Sequence, residues 1–453
     1  MKRLLLAVAA LLLGACLIPA SSPAQAPPGP ISPPPGSTAD QSPVPSAQPS
    51  ESTQRHVTEY TLPPDLYKKA HDLAQIRLAF ALIVPLYGLA VLWLVLQWKS
   101  AALYRSWAER SSSRRFLQAL IFAPLFILTV DILSLPIGIF ENWIERKYGL
   151  SVQGWPSWTW DWTKGELVSV ITGTIAIMIL FAVMRKSPRR WWFYFWLVSL
   201  PLGVFLIFLQ PLVIDPLFHK FEPLTQKDAP LVASLEQMVE RAGENIPPER
   251  MFWMGAAEKS TELNAYVTGL GGSKRIVVWD NTISKLTTSQ IVFVAGHEMG
   301  HYVLHHIPKE LAIFAVGFFV LFYLGYRSLG WLLALRGAQW NIRGVDDWAS
   351  LPALLLLLGM FSFVVTPISN AISRHFEHQA DQYGLEVTHG LTPDSGQVAA
   401  QAFQILGEIN LSDPTPTRLD IVLTYDHPSI PDRIRFSLTY APWANGGQGE
   451  FVH

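Results

Sequence analysis

Five residues near the middle of the chain, His297-Glu-Met-Gly-His301, combine two histidines and a glutamate at a spacing suited to metal-assisted hydrolysis. The surrounding stretch 291–306 contains no proline, and its alanine, glutamate and methionine residues favour a helix. Residues four apart share one face of a helix, so His297 and His301 would direct two imidazoles at one zinc ion. Zinc lowers the pKa of a coordinated water to about 7. The pattern therefore predicts a zinc hydrolase in which Glu298 accepts the proton of that water.

The motif alone is weak evidence, because the same five-residue pattern also occurs in proteins that bind no metal. The alternative is a partly buried helix on which each histidine bonds to backbone or water. Gly300 costs a helix about 1 kcal/mol relative to alanine, so its presence indicates a neighbour packed closely against this face.

A catalytic zinc needs a third protein ligand and an open fourth position. The stretch 373–381, SRHFEHQAD, offers Glu377 as that ligand. Asp381 lies four residues later on the same helical face, where it would hold the second nitrogen of a ligand histidine. Arg374 would pair with either carboxylate. The alternative is a charged, solvated helix end, and two rival ligands are interpreted as surface residues: His375 and His378.

The composition is that of a membrane protein. Half of the 453 residues are hydrophobic and only 15% are charged, whereas ordinary soluble domains carry about 25% charged residues. The net charge of −1 shows no excess of positive charge of the kind that binds nucleic acid, so nucleic acid is not expected as a partner. A lipid bilayer core needs about 20 apolar residues as helix. Six segments are candidates: 78–97, 116–138, 167–184, 191–213, 311–326 and 351–372.

The polar parts of the chain are interpreted as water-facing. The stretch 215–308 mixes charges, prolines and short β-like runs, and 373–453 is mostly helical in pattern with a loose glycine-rich tail. Two apolar segments lie between His301 and Glu377. Two crossings return the chain to its starting face, so Glu377 can reach the zinc.

The N-terminus has the pattern of a bacterial export signal, with a short basic start and an apolar run over 4–13. Cys16, the single cysteine, ends a candidate lipobox in which it would be lipidated. The alternatives are cleavage elsewhere or an uncleaved anchor. Residues 19–50 contain eleven prolines, which is typical of a disordered tether. We predict a signal over 1–18 and a tether over 19–72.

Further motifs are spread along the chain on both sides of the histidine pair. They are Leu135-Pro, Ile144-Glu, Tyr148-Gly149, Ile214-Asp-Pro-Leu-Phe-His-Lys-Phe221, Asn264-Ala-Tyr-Val-Thr-Gly269, Lys274-Arg-Ile-Val277, Glu377 with Ala380-Asp381, and His427-Pro428 with Arg433. Their order resembles the integral-membrane zinc endopeptidases that include the type I CAAX prenyl proteases, over roughly 116–435. Several motifs in the family's order are far more specific than the five-residue pattern.

The resemblance implies the same single zinc ion, ligands and general base as the spacing does. It also implies that Asn264 and His427 hydrogen-bond the substrate backbone or the developing oxyanion. Neutral donors aimed at developing charge stabilise a transition state. On the residues alone, Asn264 would be a turn residue and His427 a surface histidine before a proline.

The resemblance also implies a fold. It is mainly α and polytopic, with about six transmembrane helices and a zincin-type α+β catalytic domain that contains a small edge-strand sheet. In the family a peptide pairs with that edge strand, which 275–279 would supply here. We expect a four-helix N-terminal membrane domain over 73–214 and a zinc metallopeptidase domain over 215–445 that includes the last two spans. Residues 1–72 match nothing in the family pattern.

Arginine and lysine are enriched in the cytoplasmic loops of membrane proteins. If the six segments all cross, twelve basic residues lie in the loops of one side and three in the short loop 139–165 of the other. We therefore predict a bacterial inner-membrane protein with its site on the periplasmic side. Eukaryotic relatives imply the cytosolic face instead, and the charges of this chain are given more weight. The twelve are Lys99, Arg105, Arg110, Arg114, Arg115, Arg185, Lys186, Arg189, Arg190, Arg327, Arg336 and Arg343.

The leading hypothesis is a membrane-embedded zinc metalloendopeptidase whose partners are protein or peptide substrates and the lipid bilayer. The resemblance implies CAAX-box protein processing. Prenylated proteins are not expected in a bacterium, so general peptide hydrolysis is preferred. The alternative is a zinc-stabilised membrane scaffold or lipid-binding protein without catalysis. Glu298 discriminates the two, because a structural zinc site gains nothing from it. The sequence does not predict an oligomeric state.

Overall fold

The computed structural model describes residues 55–269 and 271–453. The predicted signal with Cys16 and most of the predicted tether lie outside these residues. The helices are α1 (Pro64–Gln97), α2 (Ser100–Ser111), α3 (Arg115–Tyr148), α4 (Trp155–Lys186), α5 (Trp191–Leu209), α6 (Asp215–Phe218), α7 (Ala229–Arg241), α8 (Asp280–Lys285), α9 (Thr288–Val303), α10 (His306–Arg336), α11 (Leu351–Thr388), α12 (Ser395–Ile409), α13 (Arg418–Thr424) and α14 (Ile430–Thr439).

Six helical stretches among the described residues are long and apolar enough to cross a membrane. They are α1, α3, α4, α10, α11 and the continuous run Trp191–Phe218, in which a π-helical turn joins α5 to α6. Each contains one of the six predicted apolar segments, so that prediction is confirmed. The helices extend beyond the apolar segments because their polar ends remain helical. At 1.5 Å per residue, the 38 residues of α11 span about 57 Å, well beyond a bilayer core.

Two of the basic loops meet the loop before α11 at one end of the helix bundle. There, Nη1 of Arg105 lies 2.6 Å from Oδ2 of Asp347, and both side chains are nearly fully buried. The guanidinium of Arg185 stacks 4.1 Å from the ring centroid of Trp348. The basic loops that the sequence analysis assigned to one side of the membrane therefore lie at one end of the molecule.

The chain before α1 is packed against α12, which differs from the tether predicted to extend to residue 72. The backbone N–H and C=O of Val57 pair with the side-chain amide of Gln397 at 3.1 and 2.8 Å. Those of Thr61 pair with Gln404 at 3.3 and 2.6 Å. Because these amides satisfy the extended backbone and Tyr60 is buried beside them, the ordered chain begins well before residue 72.

The sheet has four strands, β1 (Phe221–Pro223), β2 (Met251–Met254), β3 (Ala265–Thr268) and β4 (Arg275–Trp279). Their order is β1-β2-β4-β3, with β2 and β4 parallel and the other pairs antiparallel. The prediction that 275–279 is an edge strand is wrong, since β4 is hydrogen-bonded on both sides. The edge on that side of the sheet is β3, which directly follows Asn264.

Close packing of α9 against α11 brings the two halves of the predicted zinc site together. The helix α9 begins with a capping box between Thr287 and Gln290. A Cβ at Gly300 would lie 3.0 Å from Tyr383, and one at Gly384 would lie 3.1 Å from the backbone nitrogen of His297. These glycines let the helix backbones approach closely, which confirms the packing role predicted for Gly300.

Candidate active site

Three side chains from α9 and α11 converge to form one buried cluster. One ligand atom from each of His297, His301 and Glu377 lies within 4.8 Å of the others, and all three residues are buried. The oxygen Oε2 of Glu377 is 3.2 Å from Nε2 of His297 and 3.8 Å from Nε2 of His301. The chain passes through α10 and most of α11 between His301 and Glu377, and it returns to the histidine pair. This agrees with the prediction that two crossings bring Glu377 back to its starting face.

The arrangement fits a zinc ion. Ligand atoms 2.0–2.1 Å from a tetrahedral ion lie about 3.4 Å apart, close to the two separations from Glu377. The oxygen Oε2 of Glu377 is buried, and imidazole nitrogens of His297, His301 and His427 lie 3.0–3.8 Å from it. Two imidazoles and one carboxylate are a ligand set that zinc prefers. The site therefore holds the donors and the spacing that a metal requires.

The other nitrogen of His297 is held by Asp381, as predicted. Its Nδ1 lies 2.8 Å from Oδ1 of Asp381. Burial lowers the pKa of His297, but hydrogen bonds to Asp381 and Glu377 outweigh it and raise the pKa to about 9. Without metal this ring is protonated at neutral pH, so zinc binding displaces a proton and weakens as the pH falls.

Asp381 is in turn held by Arg433, a residue that was singled out above only as part of the family motif. Nε of Arg433 donates to Oδ2 of Asp381 at 2.8 Å, and Nη2 donates to Oδ1. The guanidinium also stacks 4.1 Å from the ring centroid of Phe403. Ser429 caps the start of α14 and so fixes where Arg433 lies.

Arg374 does not pair with either carboxylate, so that prediction is wrong. Its Nη1 donates to the backbone oxygens of Ile421 and Tyr425 at 2.8 and 2.6 Å. These two residues immediately precede the segment that carries His427. Arg374 therefore anchors that segment and leaves Asp381 to Arg433.

The remaining titratable groups at the site differ in charge state. Burial lowers the pKa of His301 to about 3, so this ring is neutral and suited to bind metal. Burial raises the pKa of Glu298, while the adjacent His297 opposes and Glu377 adds to the shift. The Glu298 side chain is 27% exposed, so solvent reaches it. A carboxylate with a raised pKa is suited to general-base work near neutral pH.

His427 contacts the same carboxylate oxygen of Glu377. Its Nε2 lies 3.0 Å from Oε2 of Glu377, and its Nδ1 lies 2.7 Å from Oδ1 of Asp426. Burial would lower its pKa, but Glu377 and Asp426 raise it to about 10. A cation bound at Glu377 would weaken the first of these interactions. His427 is thus brought to the site as a hydrogen-bond donor.

Asn264 ends the loop before the edge strand β3. Thr282 fixes its backbone, accepting from the Asn264 N–H at 2.9 Å and donating to its carbonyl at 2.7 Å. The Asn264 residue is exposed. The rival ligands His375 and His378 are also exposed, and His378 packs on Phe436 at 4.3 Å between centroids. Neither rival belongs to the buried ligand cluster.

Comparison with known proteins identifies the family. The profile of peptidase family M48 matches residues 225–440, and that of the CAAX prenyl protease N-terminal domain with five membrane helices matches 49–220. The metalloprotease YhfN of Bacillus subtilis is 36% identical over 335 residues, which cover 73% of this chain and 76% of YhfN. The chain belongs to peptidase family M48.

Relatives of this M48 peptidase also include eukaryotic proteins. CAAX prenyl protease 1 of Saccharomyces cerevisiae is 25% identical over 337 residues, covering 70% of this chain and 71% of the yeast protein. The crystal structure of Ste24p from S. mikatae shares the fold with a TM-score of 0.70 at 23% identity, covering 83% of this chain and 91% of that one. The predicted fold class and family are therefore confirmed.

The M48 peptidase is a multi-pass membrane zinc metalloendopeptidase, a hydrolase whose substrates are proteins or peptides. The predicted enzyme class and zinc cofactor are confirmed. The scaffold alternative is not favoured, since relatives over the whole matched length are named proteases.

Proposed function

We propose that His297, His301 and Glu377 hold the zinc ion and that Glu298 is the general base of peptide-bond hydrolysis. The observation that carries this proposal is the convergence of the three ligand atoms beside a partly exposed carboxylate that is not itself a ligand. When bound, the zinc supplies Lewis-acid activation of water and of the scissile carbonyl. Glu298 takes the proton and delivers it to the leaving amine.

Two further residues are proposed to bind the substrate. A peptide in extended form would pair with the free edge of β3, the strand that follows Asn264. The Asn264 amide would hydrogen-bond the peptide backbone. His427, held by Asp426, would donate to the developing oxyanion, where a fixed donor lowers the barrier most. Asp381 and Arg433 are proposed to orient His297.

The substrates are proposed to be membrane-associated proteins or peptides. The polar half of α11 that carries Glu377 continues directly from an apolar half long enough to span a membrane, which supports a substrate that is itself bound to the membrane. Relatives are named for prenyl substrates. For this chain we propose the broader class of membrane-associated polypeptides.

The site is proposed to face the periplasm of a bacterial inner membrane. Two of the basic loops meet the loop before α11 at one end of the bundle, and Glu377 lies 26 residues along α11 from Leu351 at that end. That distance is about 39 Å, enough to cross the bilayer. The segment before α1 packs on α12, so this segment lies on the same side as α12, which supports the proposal for an exported N-terminus.

Replacement of Glu298 by glutamine tests the general base. The zinc ligands are untouched, so bound zinc should match the wild type, whereas hydrolysis of casein should fall about 10²–10⁴-fold. Metal content and cleavage rate are measured on the same detergent-purified sample. A zinc-loaded Glu298→Gln protein that cuts casein at the wild-type rate would remove Glu298 from this role.

A further inference from the structure

The second nitrogen of His301 contacts another histidine that has no role in the proposal so far. Nδ1 of His301 lies 3.2 Å from Nδ1 of His306, and Nε2 of His306 lies 3.1 Å from Oε1 of Gln379. His306 is completely buried and stacks on Phe376, with the ring centroids 4.7 Å apart. His306 therefore connects the metal-facing histidine of α9 to α11.

This contact depends on the break between α9 and α10. On a continuous helix, a residue five positions after His301 would lie about 140° away around the axis. The helix α9 ends at Val303, and His305 adopts the left-handed conformation with φ of 57°. The chain therefore turns at His305, and the first residue of α10 lies beneath His301.

The hydrogen-bond chain admits one consistent arrangement of protons. A His301 that binds zinc through Nε2 carries its hydrogen on Nδ1 and donates it to Nδ1 of His306. His306 then carries its own hydrogen on Nε2, which faces the acceptor oxygen of Gln379. The zinc at one end of this series of hydrogen bonds and Gln379 at the other require the same direction of donation, from His301 to His306 to Gln379. His306 would therefore fix the tautomer of His301 that leaves Nε2 free for metal.

We propose that His306 is a positioning residue of the zinc centre, acting on His301 as Asp381 acts on His297. This inference rests on the proposed ligand role of His301. The two partners differ in charge: His297 is held by a carboxylate and His301 by an imidazole. Outer partners of this kind orient the ligand and fix its tautomer, and their loss weakens metal binding by about 10–100-fold.

The test measures zinc affinity by chelator competition on purified full-length protein in detergent. His306→Phe keeps a ring against Phe376 but removes both nitrogens, and we expect its zinc Kd to rise about 10–100-fold. His306→Asn returns an acceptor near the Nδ1 position and should recover part of the affinity. His305→Asn changes the adjacent, exposed histidine to a residue that tolerates the left-handed conformation, and should bind zinc as the wild type does.

Two further measurements separate positioning from folding. The melting temperature of the metal-free His306→Phe protein should stay near that of metal-free wild type, and the visible absorption of cobalt in the site should change in His306→Phe but not in His305→Asn. A His306→Phe protein that binds zinc within twofold of wild type would overturn the inference. Failure of the proposed function is recognised separately, because then His301→Ala would also keep its zinc.

Discussion

At the residue scale, Asp381 is the carboxylate proposed to orient His297, and it is itself paired with Arg433. The carboxylate is 1% exposed, and the Arg433 side chain that pairs with it is 11% exposed. Removing one partner of a buried pair leaves an uncompensated charge, whereas replacing both by apolar groups costs much less. The pair therefore has a measurable signature beyond its effect on zinc.

We expect Arg433→Met to destabilise the protein by up to about 3–5 kcal/mol, because the buried Asp381 carboxylate loses its guanidinium partner and keeps only the His297 ring beside it. The double variant with Asp381→Leu should recover part of that loss, since both charges are then absent. Thermal unfolding of the metal-free protein in detergent measures both.

The matched control is Arg435→Met, two residues along the same helix. Its side chain is 72% exposed, and its ion pair with Asp432 should contribute less than about 1 kcal/mol. Equal melting temperatures for Arg433→Met and Arg435→Met would contradict the assigned role of Arg433.

The sequence predicted the residues of the site better than their contacts. The spacing of His297 and His301 on one helix, with Glu377 two crossings later, was enough to predict which three side chains converge. The partner of Asp381 was not predictable, because Arg433 is 52 positions away and only tertiary packing brings it near. Arg374 lay closer in sequence and was chosen wrongly, since its guanidinium reaches backbone oxygens instead.

At the element scale, the C-terminal tail is fastened to the helix that carries Glu377. Glu386 is 2% exposed and accepts the backbone N–H groups of Glu450, Phe451 and Val452 at 3.0, 2.6 and 2.9 Å. It also accepts from the hydroxyl of Tyr440. The tail predicted as loose is therefore ordered, because successive backbone donors surround one buried carboxylate of α11.

Deletion of residues 450–453 should lower the melting temperature markedly. Each hydrogen bond to a charged group contributes about 1.5–3 kcal/mol, and the carboxylate of Glu386 would lose three of them. Combining the deletion with Glu386→Leu should restore part of the stability, since the buried carboxylate that lost its donors is then absent.

Deletion of His453 alone is the control, because this exposed residue lies beyond the three donors. A deletion of 450–453 that melts at the wild-type temperature would show that the tail does not support α11.

The position of β4 in the sheet and the order of the C-terminal tail could not be predicted from the local sequence pattern. The run from Arg275 to Trp279 was recognised as β-like, but its position in the sheet depends on its pairing with both β2 and β3, which a single run of residues does not reveal. Likewise, the glycines near the C-terminus gave no sign of the carboxylate that orders the tail. Helix positions were predictable because an apolar run of spanning length is a local signal.

At the scale of the whole molecule, the central quantity is the side of the membrane on which the site lies. The six apolar segments and the basic residues between them were sufficient to predict which loops lie on the same side of the membrane as one another. The structure adds that Arg105 and Arg185, from two of those loops, contact the same loop at one end. The compartment itself is not a property of the fold, and so needs a measurement in cells.

Alkaline phosphatase fused at residue 240 should be active in a bacterial host, and the same enzyme fused at 188 should be silent. Position 240 lies in α7 of the catalytic domain, and 188 lies in the basic loop between α4 and α5. Activity at 188 with silence at 240 would invert the proposed orientation.

The most direct test of the account is the zinc content of the purified protein, measured by mass spectrometry of the metal. We predict one zinc per chain in the wild type and in His378→Ala, whose exposed histidine is a near neighbour of Glu377 on the same helix. Glu377→Ala should hold little or no zinc, because the third ligand is lost. A Glu377→Ala protein that keeps its full zinc, or a His378→Ala protein that loses it, would contradict the proposed metal centre.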